Sequence, residues 1–225
     1  MKFSKQQIIT DDGSSTIYIE GLKESYHSKH GAVVESDYIY LKQGLEHWTS
    51  KYPNKACRIL ELGYGTGLMA YLTAQFSESN QKEIKYTSLE AYPLTSIELN
   101  ELNYEKYFEK SPVLLFKEFS TLSWEELHKV TPCFSFTKKV VKFEYFSVND
   151  QYDIIFYDAF GSHAQPELWT YDCMKKCYDL IAVQGVWVSY CAKGSVRRDL
   201  EEIGFEVSRL PGPPGKREML RGVKV

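Results

Sequence analysis

Residues 58–67 read Arg58-Ile59-Leu60-Glu61-Leu62-Gly63-Tyr64-Gly65-Thr66-Gly67, and this stretch decides the fold. Its first five residues are a short, mostly apolar run, the pattern of a strand buried on both faces. The run enters a turn with glycine at every second position. The missing Cβ atoms let the backbone turn sharply and approach a ligand closely. Leu68 to Phe76 then reads as a helix, whose first N–H groups face back over the turn. Strand, glycine turn and helix in this order form the opening unit of an α/β nucleotide-binding sheet.

Downstream, Ile84–Leu89 is a second strand that ends at Glu90. A helix is predicted from Pro93 to about Phe108, with Pro93 in the first turn, where its missing N–H is harmless. Residues 110–133 read as an insertion holding one short helix, capped at Ser123-Trp124-Glu125-Glu126. Phe134–Phe146 is strand-like and Tyr152–Tyr157 is a buried strand. Only a handful of residues separate them, fewer than the roughly dozen of an ordinary parallel crossover. Either the first strand stops near Lys142 or the crossover is thin. Glu167–Ile181 is helical, Gly185–Tyr190 is a strand, and Ser195 is predicted to cap a helix running to Ile203. Phe205–Leu210 and Glu218–Val225 are the last strands, joined by Pro211-Gly212-Pro213-Pro214-Gly215.

Upstream of the glycine turn, Ile8-Ile9-Thr10 and Ile17-Tyr18-Ile19 flank Asp11-Asp12-Gly13-Ser14 as a hairpin. Val33–Trp48 reads as a helix with Val34, Tyr38, Leu41 and Leu45 on its apolar face. Strands alternating with helices predict an α/β fold with a mostly parallel sheet covered on both faces. The expected sheet has seven strands and ends in a C-terminal antiparallel hairpin. Residues 1–50 are expected to be an N-terminal hairpin and helix packed on a core of residues 51–225.

The chain has 225 residues, 43% of them hydrophobic, and a formal net charge of -3. A core is therefore well supplied, and overall charge does not announce a nucleic-acid partner. The sign is uneven, however. Residues 191–225 hold eight Lys/Arg and five acids, a local excess of +3. The cysteines at 57, 133, 173, 177 and 191 lack metal-ligand spacing, so no metal site is expected. The polar N-terminus lacks a signal-peptide core and no apolar run is long enough to span a bilayer. A cytoplasmic protein without a membrane partner is expected.

Three acids and two basic clusters carry the chemistry. The G-x-G-x-G spacing brings the third glycine one residue earlier than a dinucleotide site would. With Glu61 closing the strand, the pattern matches sites that bind S-adenosylmethionine, which has no phosphate to cradle. Glu61, Gly63, Gly65 and Gly67 are the candidate cofactor residues, and Glu90 is placed to accept hydrogen bonds from the ribose hydroxyls. The expected fold is thus the Rossmann-like class I S-adenosylmethionine-dependent methyltransferase. Asp158 ends a core strand, on the sheet edge where ligands bind. Its carboxylate suits an acceptor amine beside the methyl donor, and Phe160 suits stacking or covering. Asp158 and Phe160 are the candidate catalytic residues, and Asp158 also borders the cofactor. Lys193, Arg197, Arg198, Lys216 and Arg217 are candidate phosphate contacts.

Five segments resemble the methyltransferase domain of the MnmC type. They are residues 31–40 (GAVVESDYIY), 61–67 (ELGYGTG), 158–160 (DAF) followed by 165–169 (QPELW), 191–198 (CAKGSVRR) and 215–220 (GKREML). The resemblance implies methyl transfer to the exocyclic amine of 5-aminomethyl-2-thiouridine at wobble position 34 of tRNA. In bifunctional members of that type a flavin-dependent oxidase domain follows; this sequence stops at Val225, so no FAD is expected. The type often has Ala-Pro after Asp-x-Phe, where this chain has Gly161-Ser162. Glu144 is a candidate adenine contact. A methyltransferase acting on another amine, small or in a different nucleic acid, and a non-catalytic S-adenosylmethionine-binding module are the alternatives.

Overall fold

The structure, a computed structural model, describes residues 4–108 and 113–225. β1 (Lys5–Ile9), β2 (Ser15–Ile19) and β3 (Glu24–Ser25) form a small antiparallel sheet. An unbroken helical run follows: α1 (Ala32–Ser36), a π-helical stretch Asp37–Glu46, and α2 (His47–Lys51). The π register changes which side chains face the core. Ile39, Tyr40, Leu41, Gly44 and Leu45 are buried, whereas Val34, predicted on the apolar face, is exposed. The spacing from 39 to 44 and from 40 to 45 fits the wider turn of a π-helix.

The main sheet has the order β10-β11-β9-β8-β4-β5-β7-β6. β4 (Cys57–Leu62), β5 (Ile84–Glu90), β7 (Phe134–Val140), β8 (Tyr152–Tyr157) and β9 (Ile181–Ser189) run parallel. β10 (Phe205–Pro211) and β11 (Glu218–Lys224) make the closing hairpin, and β11 pairs antiparallel with β9. An eighth strand, β6 (His128–Lys129), adds antiparallel to the β7 edge and is not legible in the sequence. Alternate residues of the central strands serve two cores: Ile59, Ile154 and Phe156 face one, Leu60, Ile155 and Tyr157 the other. The helices α3 (Leu68–Ser79), α4 (Ser96–Asn100), α5 (Phe116–Ser120), α6 (Tyr171–Leu180) and α7 (Gly194–Ile203) complete the fold.

Several expectations are corrected. The helix after β5 is only Ser96–Asn100, followed by a 3-10 turn at Tyr104–Tyr107. It is capped by Thr95 and Glu98 in a capping box, not started by Pro93. It stops where Asn103 turns to the N-terminal hairpin. Asn103 N donates to Ser15 Oγ (2.8 Å), and its side-chain amide accepts from Ser15 N (2.8 Å) and donates to Gly13 O (3.0 Å). In the expected insertion, residues 110–112 lie outside the described residues. The helix there is Phe116–Ser120, upstream of the predicted cap. Trp124 instead packs edge-on against Tyr64, and Glu125 accepts from Val140 N. β7 stops at Val140, and residues 141–151 pass beneath β5 and β4 with only a 3-10 turn, plugged by buried Phe143 and Phe146. α7 begins at Gly194 with Lys193 in the cap position, so Ser195 lies inside the helix.

β8 is fastened to the entry of β4 through Asp153. Its buried carboxylate accepts from Lys55 Nζ (2.7 Å), Arg58 N (2.9 Å) and Arg58 Nε (3.3 Å). Asp153→Ala would leave the Arg58 N–H unpaired in the interior. We expect it to cost about 2–4 kcal/mol of stability, read as a lower urea midpoint; an unchanged midpoint would contradict this fastening role.

Candidate active site

The sheet order reverses direction between β4 and β8, and ligands of open α/β sheets bind at the carboxyl ends flanking such a switch. The glycine turn leaves β4 here. Gly63, Gly65 and Gly67 have φ of 91°, 52° and 81°, a region that disfavours side chains. Space forbids them too: a Cβ on Gly63 would lie 2.6 Å from Asp158 O, and one on Gly65 2.8 Å from Tyr26 Cδ1. Gly63 and Tyr64 both donate N–H to Leu89 O (3.0 Å each), which fixes the turn against the end of β5. Glu90 accepts from Gly65 N (3.0 Å) and Tyr92 N (2.8 Å), so it sits against the turn.

These elements border a cleft of about 720 Å³ lined by Tyr26, Glu61, Gly63, Gly65, Glu90 and Phe143, among others. Glu61 is 1% exposed. Its Oε2 accepts from Ser88 Oγ at 2.5 Å, the Tyr86 hydroxyl lies beside the carboxylate, and Oε1 meets no close hydrogen-bond partner among the described residues. Burial, reinforced by the Asp158 carboxylate, pushes the Glu61 carboxyl well above its usual range against the opposing pull of Ser88. A buried acid with a free oxygen suits a cationic ligand. The amino-acid end of S-adenosylmethionine carries an ammonium group, so Glu61 and the glycine cradle fit that cofactor.

A second cleft of about 1070 Å³ adjoins the first and shares Tyr26, His27, Asp158, Ala159 and Phe160 with it. The strand end carrying Asp158 is held from all sides. Asp158 N donates to Leu62 O (3.0 Å), Tyr190 Oη to Ala159 O (2.8 Å), and Trp169 Nε1 to Phe160 O (2.7 Å). Phe160 N donates to Gln165 Oε1 and Gly161 N to Glu24 Oε1, both at 2.9 Å. A Cβ on Gly161 would come 2.6 Å from Glu24 Oε1, so a side chain there would displace the Glu24 carboxylate from the Gly161 N–H. Phe160 meets Tyr26 edge-on, with centroids 5.0 Å apart, across the seam of the two clefts.

Asp158 is the titratable centre of the seam. Burial pushes its carboxyl up to about 7; the Tyr40 hydroxyl opposes the shift, Glu35 adds to it and Lys216 reduces it. His27, buried beside it in the shared wall, is pushed down to about 4 and is neutral at pH 7.

The sequence-predicted residues divide. Glu61, the three glycines, Glu90, Asp158 and Phe160 gather at the switch, while Lys193 and Lys216 line the second cleft. Lys216 Nζ is 2.8 Å from Glu35 Oε1 and 3.9 Å from the Tyr190 ring centroid. Lys193 Nζ meets Ser162 Oγ. Arg197 is paired to Glu201 on its own helix (2.6 Å) and Arg198 and Arg217 are exposed on the surface; none of the three lines a cleft. Glu144 is exposed and pairs with Lys142 at 3.6 Å; Val141 and Phe143 line the cofactor cleft in its place. Sequence reasoning missed Glu24, Tyr26, His27, Glu35 and Tyr40, all from the N-terminal segment.

Residues 125–225 match the family described as S-adenosyl-L-methionine-dependent methyltransferase. The fold also aligns with human methyltransferase-like protein 13 in complex with SAH (TM-score 0.51, 11% identity, covering 85% of this chain and 82% of that one). Sheet order and glycine cradle give the chain the fold of the class I S-adenosyl-L-methionine-dependent methyltransferases. Within that class it is similar to MnmC. It is 29% identical over 211 residues to the tRNA 5-methylaminomethyl-2-thiouridine biosynthesis bifunctional protein MnmC of Hydrogenovibrio crunogenus, covering 88% of this chain and 31% of that protein. It is 25% identical to the protein of the same name from Actinobacillus pleuropneumoniae serotype 5b, covering 95% of this chain and 34% of that one. The chain thus spans about a third of the length of these curated relatives. The crystal structure of MNMC2 from Aquifex aeolicus superposes with a TM-score of 0.77 at 25% identity, covering 98% of this chain and 70% of that one.

The raised Asp158 carboxyl has a consequence for stability. Its folded value of about 7 exceeds the ordinary 3.8, so the native state holds a proton that the unfolded chain has released between these two values. The associated stability is complete below pH 3.8 and is lost as pH rises through about 7. Asp158→Asn removes that loss. The variant should melt a few degrees above the parent at pH 8, with the gap closing toward pH 4. Equal melting temperatures across the range would sink this assignment.

Proposed function

We propose that the protein methylates the exocyclic amine of 5-aminomethyl-2-thiouridine at wobble position 34 of tRNA. The observation that carries this reading is the position of Asp158 on the seam between the glycine-lined cleft and the second, larger one. The names of the similar MnmC proteins supply the substrate class. When bound, S-adenosylmethionine supplies an activated methyl group. Glu61, Gly63, Gly65, Gly67 and Glu90 would hold it, and the reading involves neither FAD nor a metal. The Asp158 carboxylate would accept a hydrogen bond from the amine and orient its lone pair. A carboxyl titrating near 7 is matched to taking up the amine's proton at neutral pH. Phe160 and Tyr26 would wall the seam against water. Residues 1–50 would work as an extension of the methyltransferase unit 51–225, because Glu24 and Tyr26 line its second cleft and Tyr40 bonds to Asp158. Acting on tRNA, the protein would work in the cytoplasm; among the described residues no helix is long and apolar enough to cross a membrane.

Mass spectrometry of wobble nucleosides after incubation with tRNA carrying the free amine tests the substrate directly. A methylated small amine with untouched tRNA would replace this reading with the competing one. Asp158→Ala should lower kcat about a hundredfold or more with cofactor affinity retained, whereas Glu90→Ala should weaken cofactor binding first. The exposed Lys193, Arg198 and Arg217, together with Arg197 and Lys216, are the proposed phosphate contacts. Arg217→Ala should reduce the salt slope of tRNA binding by about 1. Lys216→Ala should change turnover as well as binding, since Lys216 also touches Glu35 and Tyr190. An unchanged slope in both variants would remove the hairpin loop from the tRNA interface.

A further inference from the structure

The side chain that fixes Asp158 comes from a distant part of the chain. Tyr40, 118 residues away in sequence, donates its hydroxyl to Asp158 Oδ1 at 2.6 Å. It lies in the π-helical stretch Asp37–Glu46, a rare conformation that is often found at functional sites. Its ring is buried and tilted against Phe156, with centroids 5.4 Å apart. Gly44, in the same stretch, lets the helix come this close: a Cβ there would lie 3.0 Å from Phe156 Cε1 and from Val188 Cγ1. Packing therefore sets the ring, and the ring sets where the hydroxyl points. Among the described residues, Oδ1 of Asp158 takes this bond while no side chain donates to Oδ2.

We propose that Tyr40 is a positioning residue for methyl transfer: its hydroxyl orients the Asp158 carboxylate, favours its ionised form, and leaves Oδ2 for the acceptor amine. This inference rests on the role given to Asp158 above. Tyr40 is a permanent donor, because burial and the neighbouring Asp158 charge push its own hydroxyl well above its ordinary range. Other groups facing Asp158 act through space. They are Glu35 from α1, Glu61 at the end of β4, Tyr86 on β5, Tyr190 after β9 and Lys216 from the last hairpin. Burial and Glu35 oppose ionisation, so the Tyr40 bond and the Lys216 charge are what favour the carboxylate.

The test reads Asp158 itself. Protein labelled with ¹³C at aspartate Cγ is titrated by NMR, without substrate, and the Asp158 resonance is identified by its loss in Asp158→Asn. Tyr40→Phe keeps the ring and deletes the bond. Hydrogen bonds to charged groups contribute about 1.5–3 kcal/mol, so the midpoint should rise by about 1–2 pH units. The acidic limb of kcat/KM should move with it, while cofactor affinity is retained. 3-Fluorotyrosine in place of Tyr40 is a stronger donor of nearly the same size and should lower the midpoint; it decides the matter if Tyr40→Phe fails to fold. A midpoint unmoved by the substitutions that fold overturns the inference, even if tRNA is methylated normally. A shifted midpoint in a protein that methylates no tRNA supports the Tyr40 role and overturns the tRNA reading instead.

Discussion

The site depends on one close backbone approach, that of Gly63 at the end of β4 to Asp158 at the end of β8. The two strands are adjacent and parallel, and Asp158 N donates to Leu62 O at 3.0 Å. With hydrogen at Cα, Gly63 turns away at φ 91° without striking Asp158 O, which a Cβ would meet at 2.6 Å. That contact brings the cofactor cradle and the candidate catalytic acid to one point. Any larger residue at 63 must push the two strand ends apart, and the clefts on either side of them would separate.

The strand ends alone do not enclose the site. The N-terminal segment supplies Glu24 to hold the Gly161 N–H, Tyr26 over Gly65, His27 in the shared wall and Tyr40 on Asp158. Each reaches a group that the doubly wound sheet leaves unpaired or open. The last hairpin closes the opposite side. Tyr38 Oη donates to Pro211 O (3.1 Å), Lys216 pairs with Glu35, and Gly215 passes so near His30 that a Cβ would strike its ring. The N-terminal segment and the last hairpin are thus coupled at the second cleft.

The sheet was legible because its evidence is local. Strand runs such as Tyr152–Tyr157 and the glycine turn after Leu62 carry their reading within ten residues, and Glu61, Glu90 and Asp158 stand at strand ends that periodicity locates. The misread elements are those whose form is set by distant partners. Asn103 ends a helix by bonding to Ser15 and Gly13, and residues 116–126 are arranged by Tyr64, Val140 and the β7 edge. The π register of Asp37–Glu46 buries Ile39, Tyr40 and Gly44, positions that a 3.6-residue period did not assign to the apolar face. Tyr40 and Glu35 sat within a recognisable segment, but nothing in their own neighbourhood pairs them with residues 158 and 216.

Charge gives the site a direction. Glu61, Glu90 and Asp158 border the first cleft, and Glu24 and Glu35 border the second beside Lys193 and Lys216. Burial, with a smaller contribution from neighbouring acids, raises the Glu61 and Asp158 carboxyls, so an uncompensated charge there is unfavourable. A cationic ligand relieves it, because opposite charge at short range is worth more where water is excluded. A sulfonium donor carries one more positive charge than the thioether left after methyl transfer. In the proposed reaction the same carboxylates would therefore hold the donor more strongly than its product, so the charge arrangement that would favour binding would also favour clearing the site.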